Sequence, residues 1–327
     1  GIGRVEILKG SQSALYGSEA IAGVVDISTL GATELGFSTT ITAEAGSFGT
    51  QRASVAVTSV TDRGEIALSL SRAVTDGISA RAGDDEEDGF AQTFVTLAGK
   101  HAVTDTVTLG FSGFYRIEDV EFDRSAASAF GPADNSGEIE NTQNGARVFA
   151  EIDAFGMDHT LSYSFFDISR SDPGGFISQF DGARDEISYR GTAELGGMTT
   201  LTVGLDNTRE EFATTTDKGE TETNSALAEL LYRPVDTLDL SLSLRHDDHS
   251  EFGGQTSARV AMAWRAQDDL TIRAVAGTGY RAPSLFERFS IYGSPDLEVE
   301  ESLSFELGVE KALAGDSFVK ATAFYTE

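Results

Sequence analysis

The sequence carries one dense acidic run, A-G-D-D-E-E-D-G at residues 82–89, in which five carboxylates stand beside glycine. Hard divalent cations such as Ca²⁺ take several oxygen ligands at once, and carboxylates crowded into one short loop repel one another unless a cation neutralises them. The run therefore indicates a calcium-binding loop or, as is common for runs of like charge, a solvated acidic loop. The sequence alone leaves both interpretations open.

Three other patterns could indicate a metal, nucleotide or catalytic site, but the residues around each do not predict the structure that such a site needs. His246 and His249 flank two aspartates, but residues three apart in an extended segment point to opposite faces, so one strand cannot chelate a metal with both. The stretch G-T-G-Y-R-A at 277–282 matches a loose dinucleotide fingerprint, yet the segment before it alternates and Pro283 interrupts the helix that must follow. G-S-F-G at 46–49 lacks the spacing of a serine nucleophile elbow. We therefore expect no enzymatic activity.

Charge and cysteine content narrow the possible partners. Lys and Arg number 24 against 53 Asp and Glu, which gives a formal net charge of -29. Because phosphate contacts require clustered basic residues, this balance argues against a nucleic-acid partner and favours a cation or a neutral ligand. The absence of cysteine excludes disulfides, thiolate metal sites and cysteine nucleophiles. No apolar run reaches the roughly 18 residues of a membrane-spanning helix.

Alternation with a period of two residues dominates the chain and predicts the elements that position these side chains. From Leu238 to Arg245 every second residue is leucine and the residues between are polar, which places the leucines on one face of a strand. About fifteen such segments of roughly 9 to 11 residues occur, the length that a tilted membrane-spanning strand needs. Short turns alternate with long polar loops. The long loops are predicted at 74–89, 118–142, 169–182, 209–221 and 280–300. The predicted strands start near residues 37, 51, 64, 90, 105, 143, 158, 183, 198, 222, 237, 255, 269, 301 and 316.

Loops that are long at one end only are typical of an outer-membrane barrel, whereas the alternative, a soluble β-sandwich or β-solenoid, has no need of this asymmetry. The predicted fold class is all-β, a transmembrane antiparallel β-barrel with outer-membrane lipid as a partner. Lipid-facing positions must be apolar, so the alternating leucines are predicted to face the bilayer. Their polar neighbours are predicted to face the interior: Asp239, Ser241, Ser243 and Arg245.

The opening residues do not fit this meander and carry a family resemblance instead. The run I-G-R-V-E-I-L-K-G-S-Q-S-A-L-Y-G-S-E-A-I-A-G-V-V-D-I-S-T, residues 2–29, resembles the end of the plug domain of TonB-dependent outer-membrane receptors. The agreement is long and ungapped. It departs from the usual pattern of the family at Gly3, Ser11, Ala22 and Asp26.

The resemblance implies a domain division and a role for two charges. Residues 1–33 are expected to form the C-terminal part of a plug, and 34–327 an incomplete barrel of about 15 of the family's roughly 22 strands, so that the chain lacks both termini of a full receptor. In the family, the Arg and Glu of this run are associated with plug-to-barrel contacts. Arg4 and Glu6 are therefore predicted to be charges held inside the lumen; the alternative is a solvated pair on a short strand.

Barrel segments extend the resemblance towards the cobalamin (vitamin B12) receptor branch. The segments 244–264 and 277–310 are similar to barrel segments of the family, and D-G-I-S-A at 76–80 with D-D-E-E-D-G-F at 84–90 looks most like that branch. Cobalamin receptors hold calcium in the loops after the early strands. The resemblance thus implies a calcium site whose candidate ligands are Asp76, Glu86, Asp88 and Asp123.

The resemblance also implies a function. We expect a receptor of the Gram-negative outer membrane that takes up a scarce, bulky nutrient, most simply cobalamin, with no required cofactor and with calcium as an accessory ion. The TonB-ExbB-ExbD complex is expected to supply energy through an N-terminal box that is missing from this chain, by strand addition. A ferric-siderophore receptor on the same scaffold stays open as an alternative. A purely structural outer-membrane barrel has no use for a plug segment.

Overall fold

The chain folds into a small hairpin unit and one large sheet, as described by a computed structural model. In the hairpin unit, β1 (Ile2–Lys9) pairs antiparallel with β2 (Gly23–Thr29). The connection between them holds the helix α1 (Ser13–Tyr16) and a 3₁₀ turn (Ser18–Ala20). The structure describes residues 2–29, 35–79, 87–123, 136–315 and 317–327.

The large sheet is a 15-stranded antiparallel meander in which every strand pairs with its neighbours in sequence. Within the described residues, the first and last strands of this sheet each pair with one neighbour only. Its strands are β3 (Gly36–Ala45), β4 (Gln51–Thr61), β5 (Gly64–Thr75), β6 (Phe90–Ala102), β7 (Val107–Asp123), β8 (Ser136–Ala154), β9 (Met157–Ser171), β10 (Gln179–Leu195), β11 (Thr199–Thr214), β12 (Lys218–Val235), β13 (Leu238–His249), β14 (Gly253–Gln267), β15 (Leu270–Arg281), β16 (Glu300–Ala312) and β17 (Phe318–Thr326).

The fifteen predicted strands are confirmed, but most are longer than the expected 9 to 11 residues. The longest are β7 to β12 and β14, which run for 15 to 19 residues. Much of the predicted loops 118–142 and 209–221 is therefore strand. Polar side chains pair across these extensions, as Arg209 does with Glu220 at 3.0 Å, and the backbone ladder continues to satisfy its own hydrogen bonds beyond the apolar band.

The two faces of the sheet follow the predicted alternation. On β13, Leu242 and Leu244 are 50% and 52% exposed on the outer face, whereas Ser243, between them, is fully buried. Arg245 and Asp247 continue the buried, lumen-facing row. An apolar exterior and a polar interior are what a barrel in lipid requires, because its outer surface meets hydrocarbon.

The two ends of the sheet differ, as predicted. Short turns such as 155–156 and 236–237 close one end, while the other end, here called the loop end, carries the long connections 76–89 and 282–299. The second of these contains the helix α2 (Leu285–Phe289). Among the described residues, no helix has the length and apolar character needed to cross a membrane.

Candidate functional site

The connection between β1 and β2, here called the plug connection after the predicted plug domain, lies against the lumen wall and forms the floor of the site. Helix α1 contacts β12 to β15, and the 3₁₀ turn contacts β15. Small residues allow this close approach: Ser13 and Ala14 are each 1% exposed. Two hydrogen bonds join the units: Ser11 Oγ donates to the Thr278 carbonyl at 3.0 Å, and the Ala282 N–H donates to Ser18 Oγ at 2.8 Å. Both of these hydrogen bonds join neutral groups.

A buried network of charges lies directly beneath this connection. Arg245 donates from Nε to Asp247 Oδ1 at 2.7 Å and from Nη1 to Asp206 Oδ2 at 2.9 Å. Arg190 pairs with the same Asp206. Two guanidinium groups thus balance two carboxylates, which is how charges are kept in a poorly solvated interior. Gly17, at φ +85°, lies over the Arg245 guanidinium, and a Cβ there would lie 3.4 Å from Nη2.

A bend in β15 brings Tyr280 into the lumen. β15 pairs with β14 only as far as Gly277, after which Thr278 Oγ1 accepts a hydrogen bond from the Ala258 N–H at 3.0 Å. Gly279 faces the plug connection, so strict alternation would turn Tyr280 outward. Instead Tyr280 is 3% exposed and lines the cavity beside Asp247.

Above the floor lies a cavity of about 500 Å³ between the plug connection, the wall and α2. Three phenylalanines form its apolar side. Phe286 of α2 meets Phe180 and Phe212 edge-on, with ring centroids 5.9 and 6.3 Å apart, and the two wall rings are themselves 6.4 Å apart. Such tilted contacts add to the free energy gained by burying the rings. An apolar surface inside a polar lumen indicates a place where a ligand is held.

Charged side chains lie beside these rings on the same two strands, β10 and β11. Arg184 pairs with Glu210 and with Glu186, each at 3.1 Å. Glu19 of the 3₁₀ turn also lines the cavity and lies within the electrostatic field of both Arg184 and Glu210. One guanidinium therefore lies near three carboxylates, two of which, Glu19 and Glu210, line the cavity with it, so this part of the cavity is net acidic.

Helix α2 is fixed over the cavity by its own capping interactions. Ser284 and Glu287 form a capping box, in which each side chain accepts a hydrogen bond from the other residue's backbone N–H. Arg281 also donates to the Glu287 carboxylate at 2.7 and 2.8 Å. The Arg281 hydrogen bond, followed by those at Ser284, lowers the pKa of Glu287 to about 2. Arg288 pairs with Glu251 at 3.0 Å and anchors the far side of the helix.

The predicted plug charges pair with each other. Arg4 and Glu6 form a salt bridge on β1, and their side chains are 66% and 45% exposed. They do not line the cavity described above. Their contact with the barrel stays a prediction.

Three of the four predicted calcium ligands, Asp76, Asp88 and Asp123, lie at the loop end of β5 to β7. Asp123 Oδ2 accepts a hydrogen bond from Ser79 Oγ at 3.3 Å, and the Asp76 N–H donates to the Phe48 carbonyl at 2.9 Å. Asp88 is described, whereas Glu86 lies outside the described residues. Over the described ranges no group of three or more His, Asp or Glu side chains is arranged to hold a metal. Because part of the acidic run falls outside those ranges, the calcium site stays a prediction.

The residues that line the cavity were not predicted from the sequence. Phe180 and Phe212 occupy lumen-facing positions where the alternation predicts polar side chains, so each is an exception to the pattern. A large apolar residue at a lumen-facing position is therefore a sequence signal that could have indicated this cavity. The two histidines behave as expected: His246 is exposed on the outer face and His249 is buried on the inner face.

Comparison with known proteins identifies the family of the chain and its curated relatives. A family model described as TonB dependent receptor-like, beta-barrel, matches residues 35–327. The chain is 28% identical to the vitamin B12 transporter BtuB of Photobacterium profundum, with 94% of this chain and 51% of the relative covered. It is 24% identical to the protein of the same name from Vibrio cholerae, with 96% and 52% covered. The chain thus spans about half the length of these curated relatives.

Solved structures share the fold at lower identity. The siderophore receptor PirA from Pseudomonas aeruginosa superposes with a TM-score of 0.79 at 20% identity, covering 99% of this chain and 62% of that one. PirA from Acinetobacter baumannii gives a TM-score of 0.82 at 17% identity, with 99% and 57% covered. Because the family model spans most of the chain, this protein belongs to the TonB-dependent receptor β-barrel family of the Gram-negative outer membrane.

Proposed function

We propose that this chain is part of a TonB-dependent receptor that takes up cobalamin across the outer membrane. The observation that carries the proposal is the plug connection seated under an aromatic cavity and roofed by a helix from the loop end. A ligand entering from the loop end meets this cavity before the plug connection. A passive structural barrel has no use for such a seat.

Two observations favour cobalamin over an iron chelate. The curated relatives at 24 to 28% identity carry the name of vitamin B12 transporter. The charged part of the cavity is net acidic, with Glu19 and Glu210 beside Arg184, and an anionic ferric chelate is repelled by such a surface. A ferric-siderophore receptor is the second candidate, favoured by the solved structures with the same fold.

The energy source and the accessory contacts belong to the same proposal. Energy comes from the TonB-ExbB-ExbD complex, which captures a segment N-terminal to the residues described in this chain as an added strand. Arg4 and Glu6 stabilise the seated plug in the complete receptor. No catalytic role is part of the proposal.

Uptake by cells tests this function. The full-length parent protein is expressed in a strain that lacks its own cobalamin receptor, and accumulation of radiolabelled cyanocobalamin is measured with and without a functional TonB protein. We expect TonB-dependent accumulation. Uptake of a ferric catecholate in place of cyanocobalamin would move the function to the second candidate.

Calcium is proposed as an accessory ion held by the acidic loop through Asp76, Glu86, Asp88 and Asp123. Binding of cyanocobalamin to the full-length receptor should then strengthen when calcium is added, and Asp88→Ala should remove that enhancement. Asp248→Ala, on the exposed outer face of β13, is the matched control. Calcium dependence that persists in Asp88→Ala would leave the acidic run as a solvated loop.

A further inference from the structure

We propose that a groove on the lipid-facing outer surface of β4 to β10 binds one phospholipid from the membrane leaflet on the short-turn side of the barrel. The groove has a volume of about 1040 Å³. The phosphate lies at the turn between β4 and β5, and one acyl chain follows the groove. The barrel wall separates this groove from the cavity described above, so the inference does not depend on which nutrient the receptor takes up.

Two rows of outer-face residues border the groove. Each row joins residues that pair across neighbouring strands, so the groove runs across the strands rather than along them. The large apolar side chains of both rows are exposed, as expected for a surface that meets hydrocarbon. The row nearer the short turns is Gly64, His101, Leu109, Ala150 and Leu161. The second row is Ile66, Gly99, Phe111, Val148, Tyr163 and Ile187.

Small residues make the groove deep. In the first row Ala150 lies between Leu109 and Leu161, so two large side chains flank a gap. Gly110 and Ser162, which occupy lumen-facing positions, also line the groove. The groove therefore reaches down to the sheet backbone between the projecting side chains. On the outer face of a barrel such a recess is filled by hydrocarbon, because the bilayer core holds no water.

The first row rises from the edge of the membrane to its middle. Gly64 begins β5 directly after the turn 62–63, whereas Leu161 lies four residues after Met157, where β9 begins. Strands about 4.8 Å apart give the row a length of about 19 Å from β5 to β9. With strands tilted by about 40°, the row rises by about 12 Å along the membrane normal, which is about half of an apolar band ~25 Å tall. The row therefore follows one leaflet, the one on the short-turn side.

Polar groups lie at the low end of this row. His101 pairs with Gly64 there, and Arg63 belongs to the adjoining turn. Arg63 donates from Nε to the Ala102 carbonyl at 3.2 Å, and its side chain is 55% exposed. Asp105 lies 3.8 Å from Nη2, beyond hydrogen-bond distance, so within the described residues the two Nη groups of Arg63 donate no hydrogen bond. A guanidinium with N–H groups to donate suits a phosphate.

A phospholipid fits these features better than a second copy of the chain. In hydrocarbon, burial of apolar surface gains nothing over contact with lipid tails, so association depends on close van der Waals packing. A flexible acyl chain can follow a recess that crosses five strands, whereas the convex outer wall of another barrel cannot enter it. The change from polar to apolar along the groove is also the order of groups along a phospholipid.

Photolabelling in detergent tests the proposal. The full-length parent receptor in non-ionic detergent micelles is titrated with phosphatidylethanolamine that carries a diazirine on its acyl chain, either near the carbonyl or at the terminal carbon. Labelled residues are identified by mass spectrometry of peptides. We expect saturable labelling of His101 and Leu109 by the first probe and of Val148 and Leu161 by the second. Leu242, exposed on the outer face of β13, should take no saturable label.

Filling the groove should remove the site. Ala150→Phe places a ring in the gap of the first row, so labelling of Leu161 by the terminal probe should be lost. Ala228→Phe is the matched control, since it makes the same change on the outer face of β12, where Ala228 pairs with Leu244 outside the groove. The control should be labelled as the wild type is. Unchanged labelling of Leu161 in Ala150→Phe would overturn the proposal.

A second pair of variants tests the position of the phosphate. Arg63→Gln should raise the probe concentration for half-maximal labelling by about fivefold, because a charged contact to the phosphate is lost. Lys311→Gln removes a basic group that pairs with Asp269 at the same end of the barrel, and it should leave that concentration unchanged. Equal effects of the two variants would contradict the assigned phosphate position.

The order of labelling in the wild-type receptor decides the proposal even if Ala150→Phe does not fold. Labelling spread evenly over the outer face would show ordinary contact with lipid and would overturn the site. The reverse order, with the terminal probe at His101 and the carbonyl probe at Leu161, would overturn the proposal by assigning the groove to a lipid of the opposite leaflet.

Discussion

Removal of Arg245 should destabilise the barrel strongly. Its side chain is 7% exposed, and it holds Asp247, whose side chain is 1% exposed. Breaking a buried ion pair from one side costs about 3–5 kcal/mol, because the remaining charge stays buried without compensation. In Arg245→Ala, Asp206 keeps its pair with Arg190, so only Asp247 loses its partner. We therefore expect a loss of about 3 kcal/mol, at the lower end of that range.

Guanidinium titration of the full-length receptor in detergent micelles measures this loss. Arg209→Ala is the matched control: it removes an arginine whose side chain is 54% exposed and which pairs with Glu220 on the outer face. The control should cost less than about 1 kcal/mol. Adding Asp247→Leu to Arg245→Ala should recover part of the loss, because the uncompensated carboxylate is gone. Equal unfolding free energies for Arg245→Ala and Arg209→Ala would refute the buried-network argument.

Three further changes test the assignment of the outer and lumen faces, the position of α2 over the cavity and the position of the plug connection. In lipid vesicles, Leu242→Arg should lower the free energy of unfolding by about 2–4 kcal/mol, whereas Ser241→Arg on the lumen face should lower it by much less. Equal losses would contradict the assigned faces. Because the folded pKa of Glu287 is about 2, below its ordinary value, its carboxylate stabilises α2 fully above pH about 4.5 and this contribution disappears as the pH falls through about 2. Ile291→Cys introduces the only cysteine of the chain, and a nitroxide attached to it reports the mobility of α2 by electron paramagnetic resonance. The nitroxide should be immobile at pH 4.5 and mobile near pH 2, whereas in the additional variant Glu287→Gln it should be mobile at both. A spectrum that does not change with pH would refute this. Gly17→Leu should expose the plug connection to protease, since the site has φ +85° and a guanidinium beneath it, and wild-type resistance would show that this contact does not set the position of the plug.

Much of the fold could be predicted because alternation is a local signal. Wherever one face meets lipid and the other the lumen, each strand carries its own period-two pattern, as β13 does from Leu238 onward. The signal stops where both faces are wet. In β8 the residues S-G-E-I-E-N-T at 136–142 do not alternate cleanly, and their pairing with β7 makes them strand. The sequence therefore predicted a start near 143 rather than at Ser136.

The candidate site was less predictable because it depends on contacts distant in sequence. Phe180, Phe212 and Phe286 come from two strands and a helix, and only the barrel brings them together. Tyr280 faces the lumen because β15 leaves β14 after Gly277, and a period-two pattern cannot show such a bend. The plug run was recognisable from sequence, but its seat on β12 to β15 was not.

Equilibrium titration of the full-length receptor with cyanocobalamin, with and without calcium, tests whether the receptor binds cobalamin. We predict saturable binding that weakens in Phe212→Ala, because that ring forms part of the aromatic lining of the cavity. Binding of a ferric catecholate with no binding of cyanocobalamin would contradict the proposed cobalamin function.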